Sequence, residues 1–207
     1  MATPSSITQF LSYDPAGIET VATRPKKRIE IVEADPTWPD AFAVIEARIK
    51  AALSQDDLYI QHVGSTSVPG LPAKAVIDVD VVIPDPTAEE EYVPALEGAG
   101  FQFLFRERKW YEHRFFHCDE PYANIHVFGP DCPEVVRHRL FRDWLSDPKN
   151  KGDKDLYVEM KRQAAKASQE AGETVMEYND RKEPVIREIL GRIFDAHGLL
   201  GDSTKGA

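Results

Sequence analysis

Hydrophobic residues along this chain recur in two rhythms, and the switches between them mark its elements. Residues 1–27 follow neither rhythm: they are rich in Ser, Thr, Pro and Ala, the pattern of a flexible leader, so structure is expected to begin near Ile29. Thr37 followed three residues later by Asp40 resembles a capping box, and Phe42, Ile45, Ile49 and Leu53 then recur at helical spacing. That predicts a helix with one buried face. The stretch LYIQHV, residues 58–63, has the aromatic and β-branched density of a strand and ends at Gly64. Residues 75–83, AVIDVDVVI, are dominated by Val and Ile between Pro72 and Pro84, which predicts a second strand.

Residues 87–99 read as a helix that stops at Gly98 and Gly100, with a start or kink at Pro94. Shorter strands are expected around 101–106, 114–118 and 124–128. Beyond Pro133 the period becomes helical. Val136, Leu140, Phe141 and Trp144 share one face; Tyr157, Met160, Ala164 and Ala167 mark a second helix; Ile186, Ile189, Leu190, Ile193 and Phe194 mark a third. A flexible tail is expected at 198–207. Strands followed by three helices predict an α+β fold, a mixed β-sheet packed with helices in one domain over 28–197.

Composition narrows the classes of function. With 207 residues, 42% hydrophobic and 29% charged, the chain suits one globular unit. Its apolar runs are too short to span a bilayer and its start lacks a secretory signal, so a cytoplasmic protein without a membrane partner is expected. A net charge of -10 argues against binding duplex nucleic acid, which requires many cations on phosphates, yet leaves room for a locally basic pocket. Arg24, Lys26, Lys27 and Arg28 form the one basic run, a solvated tail or a weak import signal. Cys118 and Cys132 sit in no metal-like spacing and read as buried thiols. Nothing in the pattern fixes an oligomeric state.

Alternation along the second strand sets Val76, Asp78, Asp80 and Val82 on one face and Ile77, Val79, Val81 and Ile83 on the other. Two carboxylates projecting together repel and lose solvation unless a cation compensates, and Mg2+ is a natural one. A sheet edge kept soluble by two acids is the plain alternative. Twelve residues separate Ser65 from Asp78. Glycine at Gly64 permits close approach of backbone to phosphate and Ser65 offers a hydroxyl.

A strand ending in Gly-Ser, followed by alternating hydrophobic and Asp residues, resembles the signature of the nucleotidyltransferase superfamily. HVGSTSVPGLPAKAVIDVDVVI, then RFF, IHVF, FRDWL and the later Lys161, Tyr178 and Lys182, is similar to the GrpB family, the uncharacterised protein family 0157, from about Arg28 to Asp195. A similar domain is fused to dephospho-coenzyme A kinase in some bacteria. This chain departs from the family pattern at Ala75, where proline is usual, and at Asn124, where histidine is frequent. Pro184 interrupts the stretch that carries Tyr178 and Lys182.

The resemblance implies a nucleotidyltransferase-like fold and a Mg2+-dependent enzyme moving a nucleotide, AMP from ATP, onto an unknown acceptor. Asp78 and Asp80 would hold Mg2+; His62, Gly64, Ser65, Thr66, Lys74, Arg114 and Arg142 would hold the nucleoside triphosphate. His126 stands where the superfamily commonly carries a third carboxylate, which makes it a candidate base. A module that binds a nucleotide or small phosphate without turnover is the alternative, and a coenzyme A precursor is a further ligand. Each residue also has a structural reading: His62 and His126 as core histidines, Lys74, Lys161, Tyr178 and Lys182 as surface residues, and Arg142 with Asp143 as a tie between helices and sheet.

Overall fold

The computed structural model describes residues 2–11, 15–25 and 28–201. Its strands are β1 (Ile18–Thr20), β2 (Tyr59–Val63), β3 (Ile77–Val82), β4 (Gln102–Glu107), β5 (His113–Cys118) and β6 (Ala123–Phe128). Its helices are α1 (Pro4–Thr8), α2 (Trp38–Leu53), α3 (Glu89–Gly98), α4 (Pro133–Ser146), α5 (Lys151–Ala171) and α6 (Val175–Ala196). The strands form one sheet in the order β1-β4-β5-β6-β3-β2, with β3 parallel to β6 and the other neighbours antiparallel. This is the expected α+β fold.

Period-2 alternation gives the sheet two unlike faces. Ile77, Val79 and Val81 of β3, with Ile125 and Val127 of β6 and Phe116 of β5, are buried against Ile45 and Ile49 of α2 and Tyr92 and Leu96 of α3. On the other face, register sets polar residues side by side: Asp78 beside Asn124 and Asp80 beside His126 on β6, with Gln61 of β2 opposite Asp80. Helices α4, α5 and α6 build a second core around Leu71, Leu145, Tyr157, Ile189 and Ile193, and they cover that polar face.

Several local expectations change. The capping box at Thr37 is not made, because the Asp35 carboxylate accepts from both the Thr37 amide and its hydroxyl, at 2.8 and 2.7 Å. The helix forms regardless, on its buried face. A capping box stands instead at Thr174 and Glu177, where α6 starts. Pro184 lies inside α6 without ending it; burial of Ile189, Leu190, Ile193 and Phe194 beyond it outweighs the lost hydrogen bond. Tyr178 and Lys182, four residues apart on one continuous helix, therefore share a face. Pro94 likewise lies within α3 rather than at its start.

Part of the expected leader forms structure: α1 and β1 lie within it. Ile7 of α1 is buried in the helical core, and the fully covered Arg137 of α4 donates from Nε to Ile7 O at 2.7 Å and from Nη2 to Ser6 O at 2.9 Å. The guanidinium finds carbonyl partners only if the segment stays docked. β1 adds to the sheet edge through β4. Deleting residues 1–11 is expected to expose Ile7's site and leave Arg137 short of partners, at a cost of about 2 kcal/mol. A scanning calorimeter should read that as a fall in Tm of about 4–8 °C; no change would show that α1 does not hold the domain. Lys26, Lys27 and the tail beyond residue 201 lie outside the described residues.

Candidate active site

Between the polar sheet face and the helices lies a cavity of about 550 Å3. Asp78 lines it, and Gly64 and Ser65 sit beside the acid because β2 runs antiparallel to β3 and turns at its end. Gly64 has φ +66° and ψ -168°, a conformation nearly reserved to glycine. A Cβ there would fall 2.4 Å from Asp78 Oδ2, so the turn approaches the carboxylate as only glycine can. Asn124 Nδ2 donates to Asp78 Oδ1 at 2.8 Å. Burial lifts the Asp78 carboxyl above the usual range, against the Asn124 bond and the charges of Lys74 and Lys182.

Three lysines from separate elements converge on this end of the cavity. Lys74 precedes β3, Lys161 lies on α5 and Lys182 on α6. Lys74 and Lys182 stand over the Tyr178 ring, with Nζ at 5.0 and 4.3 Å from its centroid. Lys161, 2% exposed, donates to Pro72 O at 2.8 Å. Burial pushes Lys161 down to about 6, and burial with Lys74 nearby pushes Lys182 down to about 7. Ammonium groups so crowded and so dry gain most from an anion between them. Arg24 adds a fourth cation from before α2, its Nη1 donating to Asn124 Oδ1 at 3.0 Å.

The expected pair of open carboxylates is not what the fold presents. Asp80 is fully buried; Gln61 Nε2 donates to its Oδ2 at 2.8 Å, and His138 Nδ1 of α4 sits 2.9 Å from the same oxygen. Burial alone would lower His138, yet the Asp80 charge and hydrogen bond raise it to about 9. The compensating cation for Asp80 is thus an imidazolium. Since His138 holds its proton in the fold to about pH 9 and in the unfolded chain only to about 6.5, its contribution is complete below 6.5 and lost as pH rises towards 9. The Tm gap between the protein and a His138→Gln variant should therefore be widest near pH 6 and close by pH 9.5; a constant gap would contradict the charged pair.

His126 lines the cavity, and its Nδ1 lies 3.1 Å from Nε2 of His113, whose Nδ1 lies 2.6 Å from Oε2 of Glu107. Other expected ligands point away. His62 stacks on Phe42 at 5.0 Å on the core side, and Thr66 donates to Val76 O at 3.0 Å. Arg114 is spent on Glu89 and Glu112, and Arg142 on Asp143 and His62 O. Alternation decides the cases of His62 on β2 and Arg114 on β5, because neighbours of cavity-facing residues on a strand must face the helices behind. Conversely Lys161 and Tyr178 are buried rather than surface residues, and Arg24 is part of the site rather than a solvated tail. His138, Gln61, Glu107 and His113 carried no sequence signal of their own; strand register brings in Gln61, Glu107 and His113, and the packing of α4 on the sheet brings in His138.

Whether a divalent ion suits these residues follows from the donors. Among the described residues no three His, Cys, Asp or Glu side chains gather as a metal cluster. Asp80 is engaged by His138 and Gln61, so a centre held by both acids does not fit. Mg2+ does fit Asp78 in company with the phosphates of a ligand, its ordinary mode with one carboxylate. No helix among the described residues is long and apolar enough to cross a membrane.

Comparison with known proteins supplies the family. The model of the GrpB protein family matches residues 28–192. A UPF0157 protein of Halalkalibacterium halodurans is 41% identical over 164 residues, 79% of this chain and 82% of that one. One from Pseudomonas aeruginosa is 38% identical over 173 residues, 82% and 69% of the two chains. The crystal structure of the conserved protein GrpB from Enterococcus faecalis superposes with a TM-score of 0.69 at 23% identity, covering 81% of this chain and 99% of that one. A glycine-tight turn over Asp78, the β2 and β3 hairpin that sets it and a family model spanning most of the chain agree: this protein belongs to the GrpB family, also known as UPF0157.

Proposed function

We propose that the cavity binds a nucleoside triphosphate and that the protein is a nucleotidyltransferase, passing the nucleotide, AMP in the case of ATP, to a hydroxyl-bearing acceptor. The observation that carries this reading is the convergence of Lys74, Lys161, Lys182 and Arg24 on a cavity beside Asp78 and the Gly64-Ser65 turn. Four basic side chains around a partly buried carboxylate suit a polyanion, whose charge favours their protonated forms. The volume lies within the range of small-molecule sites. An adjoining cavity of about 680 Å3 shares Arg24, Lys74 and Asn124, giving room for a second reactant.

In this reaction the acceptor oxygen bonds to the α-phosphorus, the bond to the bridging oxygen breaks, and pyrophosphate leaves. Lys161 and Lys182 neutralise the leaving phosphates, Lys74 faces the charge that develops at the centre, and His126 receives the acceptor proton. Mg2+ bound by Asp78 and phosphate oxygens would supply further charge neutralisation. Positioning and electrostatics furnish the rate in such chemistry.

Thermal shift with ATP, CTP, GTP and UTP, each with Mg2+ or EDTA, tests the ligand; pyrophosphate release with a panel of hydroxyl acceptors tests the transfer. The expected result is a higher Tm with a triphosphate and pyrophosphate with some acceptor. Silence from all four triphosphates would overturn the proposal. A shift without pyrophosphate would favour a second reading, a nucleotide- or phosphate-binding module without turnover, which the closure of Asp80 by His138 and Gln61 supports.

A further inference from the structure

We infer that Glu107, His113 and His126 form a proton relay that fixes whether His126 meets the cavity as an acceptor or as a donor. Three residues from three neighbouring strands make an unbroken chain: Glu107 Oε2 to His113 Nδ1 at 2.6 Å, then His113 Nε2 to His126 Nδ1 at 3.1 Å. The register of β4, β5 and β6 builds it, with Glu107 opposite His113. The two histidine rings are 5.2 Å apart between centroids and within 21° of parallel, and ring contacts with Trp110, Phe128 and Phe115 surround them. Glu107 is 8% exposed and His113 2%.

Each link has one proton, so the chain has two coherent settings. With Glu107 ionised, its carboxylate accepts from His113 Nδ1–H, His113 Nε2 accepts from His126 Nδ1–H, and His126 Nε2 is bare toward the cavity. With Glu107 protonated, every bond reverses: the carboxyl donates to His113 Nδ1, His113 Nε2–H donates to His126 Nδ1, and His126 Nε2 carries a proton. Passage from the first setting to the second takes up one proton at His126 Nε2, moves one from His126 Nδ1 to His113 Nε2 and one from His113 Nδ1 to Glu107. The sum is a hydroxyl proton delivered to a carboxylate, with no imidazolium left behind.

The local electrostatics favour that route. Burial pushes both imidazoles down to about 3, so neither rests as a cation near neutrality. Burial lifts Glu107 to about 7, where a carboxylate suits a base working at that pH. The charged groups facing the chain are Asp80 from β3, His138 from α4, Arg114 from β5 and Arg24 from before α2. His126 would be the catalytic residue and Glu107 and His113 positioning residues, His126 gaining the basicity of a remote acid. For its chemical use the relay rests on the transfer reading above; its existence does not.

The test is a pH titration of the full chain carrying 15N-labelled histidine, in the protein and in Glu107→Gln. His113 and His126 should exchange their Nδ1 and Nε2 protonation patterns together, with one midpoint near pH 7, neither becoming doubly protonated. Glu107→Gln should show a single pattern from pH 5.5 to 8.5. Patterns that never change in the protein, or change equally in the variant, would overturn the relay, and the first outcome decides even if the variant does not fold. Triphosphate thermal shifts measured alongside should persist in Glu107→Gln, while pyrophosphate release should rise through the same midpoint in the protein and lose that step in the variant. An absent thermal shift would count against the nucleotide reading and leave the nitrogen patterns to judge the relay.

Discussion

A Lys161→Met, Lys182→Met double variant is expected to fold more stably than the parent and to bind triphosphate at least about 100-fold more weakly. Each lysine offers a phosphate one charge-assisted contact, worth about 1.5–3 kcal/mol, and about 1.4 kcal/mol is a tenfold change in affinity. Stability moves the other way. Burial holds Lys161 near 6 in the fold against about 10.4 in the unfolded chain, so unfolding takes up a proton at neutral pH. This penalty on the parent grows as pH falls from 10 to 6, where it is complete. The Tm advantage of the variant should accordingly be largest near pH 6 and shrink toward pH 9. Loss of the Lys161 bond to Pro72 O opposes the gain, and burial prevails because the amino group is almost wholly covered and its charged form is denied solvation. Calorimetry with equilibrium binding checks both halves. A variant that binds as the parent does would remove the lysines from the site.

Gly64→Ala is expected to damage fold and site together. The strained conformation costs a non-glycine residue about 1–3 kcal/mol, and the new Cβ, 2.4 Å from Asp78 Oδ2, cannot be accommodated while that acid keeps its place. Asp78 must rotate away from Asn124 or the turn must open, and either breaks the 2.8 Å bond that orients the carboxylate. A fall in Tm of about 5 °C or more is the expected reading. Ligand-induced stabilisation should be absent even where the variant remains folded. A variant with normal Tm and normal triphosphate shift would show that the close approach of turn and acid has no consequence.

What could be read from the sequence divides along physical lines. Strand β3 announced itself because Val and Ile alternate with two acids between prolines, and the face carrying Asp78 and Asp80 followed from period 2 alone. His62, expected among the triphosphate ligands with a core histidine as the alternative, stacks on Phe42 instead. Alternation cannot say which of two acids on one face is open, since that depends on what crosses above them. His138 comes from α4, 58 residues later, and its pairing with Asp80 is set by helix packing on the sheet. Lys161 and Lys182 lie on amphipathic helices among many other charged residues, so their burial has no local signature. Tyr178 looked separated from the helix by Pro184, because a proline rule is local whereas the packing of Ile189 and Phe194 is not. Arg24 and α1 were hidden for the opposite reason: a segment without period can still dock through single anchors, as Ile7 does.

The charge arrangement ties the site to pH in one direction. A polyanion between Lys161 and Lys182 must raise both from about 6 and about 7, so binding takes up protons near neutrality and tightens as pH falls from 8 to 6.5. Asp78, raised by burial and bonded to Asn124, and Lys74 move less freely because each already faces the other.

Isothermal titration of ATP with Mg2+ into the protein at pH 7, in two buffers of different ionisation enthalpy, tests the central claim most directly. The account predicts saturable binding at one site, net proton uptake on binding, and loss of both in the Lys161→Met, Lys182→Met variant. Binding without proton uptake, or no binding by any of the four nucleoside triphosphates under the same conditions, would contradict it.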